Sequence, residues 1–289
     1  MTRRCFVAEL RSESGFLDVQ GAPLYYEVTG QGQPVLFIHA GIADSRMWDE
    51  QLPIFAQRYQ VIRYDLRGYG KSQIPAGRFA NHEDAAALLH FLNIEKACVV
   101  GVSFGGRVAV DFALVHPEMV SALVLSAPSI GGTEPSEDVM GFAQEEEALL
   151  EAGDLEAATN LNVRFWVDGP GRTPDQVNPE VRRRVYEMQY HAFTVPIPAE
   201  AEEAEIEPPA MQRLAEIRVP TLIIVGDCDL PGKVVQAQQL AEQIPFAQLE
   251  IVKGAAHMVS MERPEEFNRL VLDFLEKHPV SNEQNFSPE

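Results

Sequence analysis

Ser103 has the clearest potential for chemistry, because it lies in the segment Gly101-Val102-Ser103-Phe104-Gly105-Gly106. An apolar run precedes this segment and a helical pattern follows it. Glycine on either side of a serine permits a very tight turn from strand to helix, where larger side chains would collide. The Phe104 amide at the helix N-terminus could donate a hydrogen bond to a developing oxyanion. The pattern therefore predicts a nucleophilic serine.

The alternative for this segment is a phosphate-binding turn, since glycine-rich connections from strand to helix also bind anions. However, no lysine follows Ser103 at the Walker position, and the segment does not fit Gly-x-Gly-x-x-Gly. The nucleophile is the better interpretation.

A serine hydroxyl needs a nearby base to become nucleophilic, and that base needs an acceptor that orients it. Among the seven histidines, His257 lies in Gly254-Ala255-Ala256-His257-Met258, directly after the last strand-like run. Site residues of parallel α/β sheets collect at that end of the strands. We therefore predict that His257 is the base; the alternative is an ordinary surface histidine.

The orienting acid should lie between the serine and the histidine in the chain, after the preceding strand. The segment Gly226-Asp227-Cys228-Asp229 offers two carboxylates there. Asp229 is favoured because it lies further into the loop and can bend towards the histidine. Asp227 is then a turn residue that binds local backbone. Cys228 is interpreted as structural, because it has no basic neighbour that would activate its thiol.

The segment His39-Ala40-Gly41 follows the third strand-like run, where the second oxyanion donor of such a site belongs. We predict that the Ala40 amide donates, with the next residue as the alternative. Gly41 would also let the backbone approach a substrate closely. The His39 imidazole is predicted to be a structural or pocket group and not a second base.

The elements that must position these residues alternate between strand and helix, which predicts an α/β protein with a parallel sheet. Short runs rich in Val, Ile and Leu, bounded by turn residues, indicate strands buried on both faces. Residues 16–20 and 23–30 flank Gly21-Ala22 and predict an antiparallel hairpin. The buried strands are predicted at 34–40, 60–65, 96–103, 121–128, 219–227 and 246–254.

Helical patterns separate these strands. One predicted helix spans residues 44–57, and another spans 82–93 with Asn81 as its N-cap. A third spans 104–116 and stops near Pro117. Further helices are predicted at 144–153, 179–193, 232–244 and 264–278.

A stretch without buried strands, from about residue 133 to 206, interrupts the sheet pattern. It is helical, charged and broken by prolines. Its acidic run at 198–209 is interpreted as a solvated linker or helix face and not as a binding motif. The chain is therefore predicted to be one sheet domain with a helical insertion and a frayed polar tail at 281–289.

Charge and cysteine content limit the partners and the compartment. The 23 basic and 43 acidic residues give a net charge of −20, which disfavours nucleic acid and anionic membranes as partners. Cys5, Cys98 and Cys228 match no disulfide or zinc pattern, which favours a reducing compartment. The N-terminus lacks the apolar stretch of a signal peptide, and no run approaches the roughly 18 apolar residues of a membrane span. A cytoplasmic location is predicted.

Five motifs together resemble the α/β-hydrolase superfamily, and the stretch 45–72 is most like 3-oxoadipate enol-lactonases and small carboxylesterases. A serine nucleophile argues against haloalkane dehalogenases and epoxide hydrolases, whose nucleophile is aspartate. The chain departs from the family in one motif, where His-Ala replaces the commoner His-Gly pair; alanine still offers its amide. The motifs are HAG (39–41), RYDLRGYGKS (63–72), GVSFGG (101–106), GDCD (226–229) and GAAH (254–257).

The resemblance implies an α/β-hydrolase fold, with a mostly parallel eight-stranded sheet flanked by helices and a helical cap inserted after strand 6. The core domain would comprise residues 1–132 and 206–289, and the cap residues 133–205.

The predicted function is hydrolysis of a small-molecule carboxylic ester or lactone through an acyl-enzyme on Ser103, with no metal and no organic cofactor. One alternative is carbon–carbon bond hydrolysis or another cofactor-free reaction of the same triad. The other is a ligand-binding protein that retains the triad in its pocket. Candidate pocket residues, each with core packing as the alternative, are His39, Gly41, Trp48, Phe142, Phe165, Trp166 and Met258.

Overall fold

Eight strands form one sheet in the computed structural model, which describes residues 12–279. They are β1 (Ser12–Val19), β2 (Ala22–Gly30), β3 (Gln33–Ile38), β4 (Tyr59–Tyr64), β5 (Ala97–Val102), β6 (Val120–Ser126), β7 (Thr221–Gly226) and β8 (Ala247–Val252). Their order across the sheet is β1-β2-β4-β3-β5-β6-β7-β8. The pairs β1–β2 and β2–β4 are antiparallel and the other neighbours are parallel. The predicted α/β-hydrolase fold, with its eight-stranded sheet, is confirmed.

Burial explains why the central strands are continuous apolar runs. Every residue of β5 and of β7 is buried, because helices cover both faces of the sheet. Alternate side chains of each strand enter different cores: Val99 packs in one, whereas Cys98 and Val100 pack in the other. Cys98 is thus a small core residue. The edge strand β8 exposes several of its side chains.

The helices that flank the sheet agree with the sequence pattern except in the first connection. The predicted helix at 44–57 is wrong: a 3₁₀ turn at Ser45–Trp48 is followed by the short helix α1 (Leu52–Phe55). The Asp44 side chain accepts a hydrogen bond from the Arg46 amide, which caps the 3₁₀ turn. Pro53 has no backbone N–H to donate. It therefore fits the first turn of a new helix but would interrupt a helix that began before it.

The next two helices, α2 (Asn81–Phe91) and α3 (Phe104–Val115), lie close to their predicted positions. The N-cap of α2 is Ala80 and not Asn81. Asn81 is instead the first helical residue, and its amide group donates to the Glu203 carboxylate at 3.1 Å.

The segment between β6 and β7 contains three helices: α4 (Glu137–Glu151), α5 (Leu155–Asn162) and α6 (Pro179–Thr194). A six-residue π-helix follows α5 directly, at Val163–Asp168. The only strand described in this segment is the exposed pair Glu202–Glu203, which bridges to Arg78–Phe79 outside the main sheet. The helical insertion after strand 6 therefore has the expected character, whereas its boundaries as a separate cap at 133–205 stay a prediction.

Three helices complete the fold: α7 (Pro231–Gln243), α8 (Val259–Glu262) and α9 (Pro264–Lys277). None of the helices within residues 12–279 has both the length and the apolar character needed to cross a bilayer. Cys5, the rest of the N-terminal segment and the tail at 281–289 lie outside the described residues.

Candidate active site

Ser103 lies at the junction of β5 and α3 with φ 54° and ψ −114°. A non-glycine residue rarely adopts a positive φ, and it persists only where the surroundings hold it in place. Two backbone hydrogen bonds, to the end of β6 and to the loop after it, hold Ser103 in this conformation. The Ser103 amide donates to the Ser126 carbonyl, and the Ser129 amide donates to the Ser103 carbonyl, both at 2.9 Å. The turn therefore presents the serine in a conformation that an unconstrained chain would avoid.

The two glycines of the motif are required by close backbone contacts. A Cβ on Gly101 would lie 2.3 Å from the Gly105 carbonyl oxygen. A Cβ on Gly105 would lie 2.3 Å from the His39 carbonyl oxygen. Both distances are shorter than any real carbon–oxygen contact, so the predicted reason for glycine at these positions agrees with the geometry.

His257 and Asp229 meet at the carboxyl ends of the last two strands. The Nδ1 atom of His257 lies 2.9 Å from Asp229 Oδ2, and the side chains are almost fully buried. The other carboxylate oxygen, Oδ1, accepts the Leu230 amide at 2.7 Å. With the Nδ1 proton on the carboxylate side, Nε2 carries a lone pair. This Nε2 atom is buried and has no hydrogen-bond partner among residues 12–279, so it is available to take a proton.

Asp227, the competing carboxylate, does not contact His257. Its Oδ1 atom accepts the Gly254 amide at 2.6 Å and the Cys228 thiol at 3.3 Å. The partner Gly254 belongs to the loop after β8, so the expected bond to local backbone is wrong: Asp227 ties two neighbouring loops together. Burial and the adjacent Asp227 raise the pKa of the Cys228 thiol, which fits its interpretation as an unreactive group.

The amide predicted as the second oxyanion donor already has a partner. The Ala40 amide donates to Met47 Sδ at 3.3 Å, and Ala40 is fully buried. Gly41 is better placed, because it lines the same cavity as Ser103 and a Cβ on it would lie 3.2 Å from Phe104 Cβ. Within the described chain neither the Gly41 amide nor the Phe104 amide has a hydrogen-bond partner. The geometry thus brings the alternative donor, Gly41, next to Phe104.

His39 is a structural group behind the site. Its Nε2 atom accepts the Leu66 amide at 2.9 Å, and its Nδ1 atom bonds the Ala40 carbonyl at 2.8 Å. Burial lowers the pKa of the imidazole. Both nitrogens are occupied, and because Nε2 accepts a hydrogen bond, it carries no proton. His39 joins the loops after β3 and β4 and does not line the cavity, which corrects its place among the pocket candidates.

A cavity of about 270 Å³ opens onto Ser103 and His257. Of the predicted pocket residues, Gly41, Phe142 and Trp166 line it. Trp48, Met258 and Phe165 do not, and these three assignments are wrong. The complete lining comprises Gly41, Ile42, Tyr69, Ser103, Phe142, Glu146, Asn162, Trp166, Gln189, Phe193 and His257.

The two wrongly assigned aromatic residues, Trp48 and Phe165, pack outside the cavity wall, whereas Trp166 lies against His257. Trp48 is buried, with its ring centroid 4.8 Å from that of Phe37. Phe165 stacks on Phe142 at 4.4 Å, one layer outside the cavity. Trp166 covers the histidine, with ring centroids 4.5 Å apart. The π-helix that carries Trp166 thus shields His257 from solvent.

An ion pair connects the histidine loop to the segment after Trp166. Glu262 accepts the Ala256 amide at 2.9 Å through one carboxylate oxygen and binds Arg172 at 2.8 Å through the other. Arg172 also donates to the carbonyl groups of Val167 and Asp168. Because Ala256 precedes His257, this partly buried pair positions the base relative to the indole that covers it.

Several cavity residues were not found by sequence reasoning: Ile42, Tyr69, Glu146, Asn162, Gln189 and Phe193. Four of them come from the insertion, which supplies residues from α4, the end of α5 and α6. Glu146 lies between two other glutamates, and no sequence signal distinguishes it from them.

Comparison with known proteins gives the family and similar folds. The chain matches the family model described as "Alpha/beta hydrolase family" over residues 35–270. It is 27% identical over 262 residues to 3-oxoadipate enol-lactonase 2 of Acinetobacter baylyi, covering 88% of this chain and 94% of the relative. It is 30% identical over 281 residues to 2-hydroxy-6-oxononadienedioate/2-hydroxy-6-oxononatrienedioate hydrolase 2 of Pseudomonas putida, covering 92% and 95%. A solved esterase from Thermogutta terrifontis is 25% identical with a TM-score of 0.75, covering 94% of this chain and all (100%) of that chain.

Proposed function

The chain belongs to the alpha/beta hydrolase family, and from this premise we propose that it hydrolyses small carboxylic esters or lactones through an acyl-enzyme on Ser103. One observation carries the proposal: the strained Ser103 shares a cavity with His257, whose Nδ1 atom lies 2.9 Å from Asp229. The similarity to an enol-lactonase and an esterase supports the choice of bond.

In the first step, His257 Nε2 removes the proton from Ser103 Oγ while the oxygen attacks the substrate carbonyl. The carbonyl oxygen becomes an anion and accepts hydrogen bonds from the Phe104 and Gly41 amides. Each such donor can contribute about 100- to 1000-fold in rate, because it is in place before charge develops. The imidazolium then protonates the departing alkoxide, which leaves the acyl group on the serine.

In the second step, His257 removes a proton from water, and the water oxygen attacks the acyl-enzyme carbonyl. The oxyanion that forms is bound by the same two amides. Collapse releases the acid and returns the proton to Ser103. Asp229 keeps the Nδ1 proton on its own side of the ring throughout, so Nε2 is the nitrogen that exchanges protons. These steps use protein groups and water alone.

The location and domain assignments remain part of the proposal. Cys98 and Cys228 are free thiols, which is compatible with the predicted cytoplasmic location. The insertion supplies much of the cavity wall, in keeping with a cap at 133–205 over a core of 1–132 and 206–289.

Labelling with a fluorophosphonate probe tests the nucleophile. We expect peptide mapping to find the label on Ser103, and Ser103→Ala to lose both labelling and p-nitrophenyl acetate hydrolysis. Ser129→Ala is the matched control, because it keeps the backbone bond from residue 129 to the Ser103 carbonyl. A label on another residue, or full hydrolysis by Ser103→Ala, would overturn the assignment.

Rates on an acetate ester, a small lactone and a vinylogous diketone identify the bond. We expect the ester or the lactone to be cleaved at least tenfold faster, by kcat/KM, than the carbon–carbon bond of the diketone. The reverse order would replace the proposal by carbon–carbon hydrolysis on the same triad, and tight binding without turnover would indicate a binding protein.

A further inference from the structure

The cavity has a polar region that the proposed mechanism does not use. Besides the reacting groups, the polar residues on its wall are Tyr69, Glu146, Asn162 and Gln189. The Tyr69 side chain belongs to the oxyanion end, since a Cβ on Gly41 would lie 3.5 Å from its hydroxyl. The other three come from the helices of the insertion, and no arginine or lysine within residues 12–279 lines the cavity.

Glu146 provides a carboxylate with unused hydrogen-bonding capacity. Its Oε1 atom accepts the Asn162 amide at 2.5 Å, and the same Asn162 nitrogen also donates to the Ala158 carbonyl at 3.0 Å. Among the described residues, Oε2 of Glu146 has no hydrogen-bond partner and no cation pairs with the side chain. The neighbouring Glu145, in contrast, faces outwards and lies 3.5 Å from Arg164.

Gln189 provides a second acceptor. Only 4% of this residue is exposed, and its Oε1 atom is fully buried with no hydrogen-bond partner among residues 12–279. Buried amide oxygens are almost always paired. Because Gln189 lines the cavity, its Oε1 atom lacks a donor that a ligand bound there could supply. Since Gln189 lies on α6 and Glu146 on α4, their shared cavity brings two acceptors from different helices to one space.

The surroundings strengthen the negative potential of this region. Phe142, Trp166 and Phe193 form apolar walls, and charges in a medium of low polarity are weakly screened. The whole chain carries a net charge of −20, which adds potential of the same sign. A carboxylate on the substrate would therefore be repelled, whereas an ammonium or hydroxyl group would find acceptors.

We propose that Glu146 and Gln189 form a specificity site, which selects esters or lactones carrying an ammonium or another hydrogen-bond donor and rejects those carrying a carboxylate. The proposal rests on the proposed hydrolysis at Ser103, because the site shares its cavity. Burial raises the pKa of the Glu146 carboxyl, and a bound ammonium would favour the ionised form again.

Three p-nitrophenyl esters of similar length test the proposal: 6-aminohexanoate, hexanoate and monoadipate, whose far ends are an ammonium, a methyl and a carboxylate group. Acetates of the corresponding six-carbon alcohols present the same groups from the other side of the ester. In at least one series we expect kcat/KM to decrease from ammonium to methyl to carboxylate, by about tenfold or more at each step, as for hydrogen bonds to charged groups.

The variant Glu146→Gln should reduce the ammonium-to-methyl ratio about 10- to 100-fold and raise the relative rate of the carboxylate ester. Gln189→Leu should reduce the ammonium-to-methyl ratio in the same direction. The matched control is Glu145→Gln, which removes the same charge from the next residue outside the cavity and should keep the native ratios. A role limited to holding Asn162 would change all three esters alike, so the ratio separates specificity from structure.

Three outcomes would overturn the proposal. The specificity site would be refuted if Glu146→Gln left the ratios unchanged, or if the native protein preferred the carboxylate ester in both series. In either case, hexanoate hydrolysis and labelling of Ser103 would leave the proposed function intact. Absence of both labelling and hydrolysis would instead refute the proposed function, and the specificity site with it.

Discussion

Replacing Asp229 by asparagine tests whether this carboxylate sets the tautomer of His257. Asp229 Oδ1 accepts the Leu230 amide at 2.7 Å, and Oδ2 faces His257 Nδ1 at 2.9 Å. In Asp229→Asn, the side chain has one oxygen, and the backbone N–H of Leu230 binds it, because a backbone N–H can only donate. The side-chain NH₂ group then points at the imidazole. Nδ1 must accept, so Nε2 carries the proton and cannot act as a base.

The expected loss follows from that tautomer. Holding the histidine of a Ser-His-Asp triad in the wrong tautomer lowers kcat about 10⁴-fold. At about 1.4 kcal/mol for each factor of ten, this is about 5 kcal/mol of transition-state stabilisation. KM should change little, because Asp229 does not line the cavity.

The assay is p-nitrophenyl acetate hydrolysis with kcat and KM measured separately, and thermal unfolding as a check of folding. Asp227→Asn is the matched control, since it makes the same substitution two residues away. Its side chain bonds Gly254 and Cys228 and not His257, so kcat should stay within about tenfold of the native value, the loss expected from about 1 kcal/mol of weakened hydrogen bonding.

The reasoning would be refuted if Asp229→Asn retained kcat within tenfold of the native enzyme while remaining folded. A loss in Asp227→Asn as large as that expected for Asp229→Asn would transfer the orienting role to Asp227.

Two further substitutions test the supports of the site. Gly105→Ala should destabilise the fold by about 1–3 kcal/mol in urea unfolding, because its Cβ would lie 2.3 Å from the His39 carbonyl oxygen; Gly141→Ala, in the open interior of α4, should stabilise it by up to about 1 kcal/mol, and equal effects would contradict the contact argument. Glu262→Gln should lower stability by about 2 kcal/mol and lower kcat more than it raises KM, because it removes the charge that binds Arg172 while an amide oxygen can still accept the Ala256 amide. A normal kcat with a lowered Tm would limit Glu262 to a structural role.

Local spacing was enough to predict the nucleophile turn. The two glycines around Ser103 are needed for contacts within a few residues and with the adjacent strand, so the motif carries its own structural reason. The placement of Ser103, Asp229 and His257 after the strands β5, β7 and β8 was also visible. Parallel strands bring their carboxyl ends to one side of the sheet, so the three residues could be expected to meet there. Asp229 meets His257 as the loop argument predicted.

Predictions that depended on side-chain packing outside the motifs themselves were less successful. The Ala40 amide satisfies the spacing expected of an oxyanion donor, but the Met47 sulfur occupies it. Trp48 is an aromatic residue of the kind that often lines pockets, but it packs against Phe37 and Phe267 in the core. An aromatic side chain or an amide has the same sequence signal whether it faces a cavity or a neighbour.

The sequence by itself therefore determined the fold class, the strained serine turn and the order of the three candidate catalytic residues. The first two follow from local backbone patterns, and the third follows from the order of the strands along the chain. Only the tertiary structure decided that Gly41 rather than Ala40 offers a free amide, and that Glu146 and Gln189 share a cavity with Ser103. The physical reason is that helices α4, α5 and α6 of the insertion pack on one another and together form a wall of the cavity that contains Ser103. Which of their side chains face inwards depends on that packing and not on local pattern.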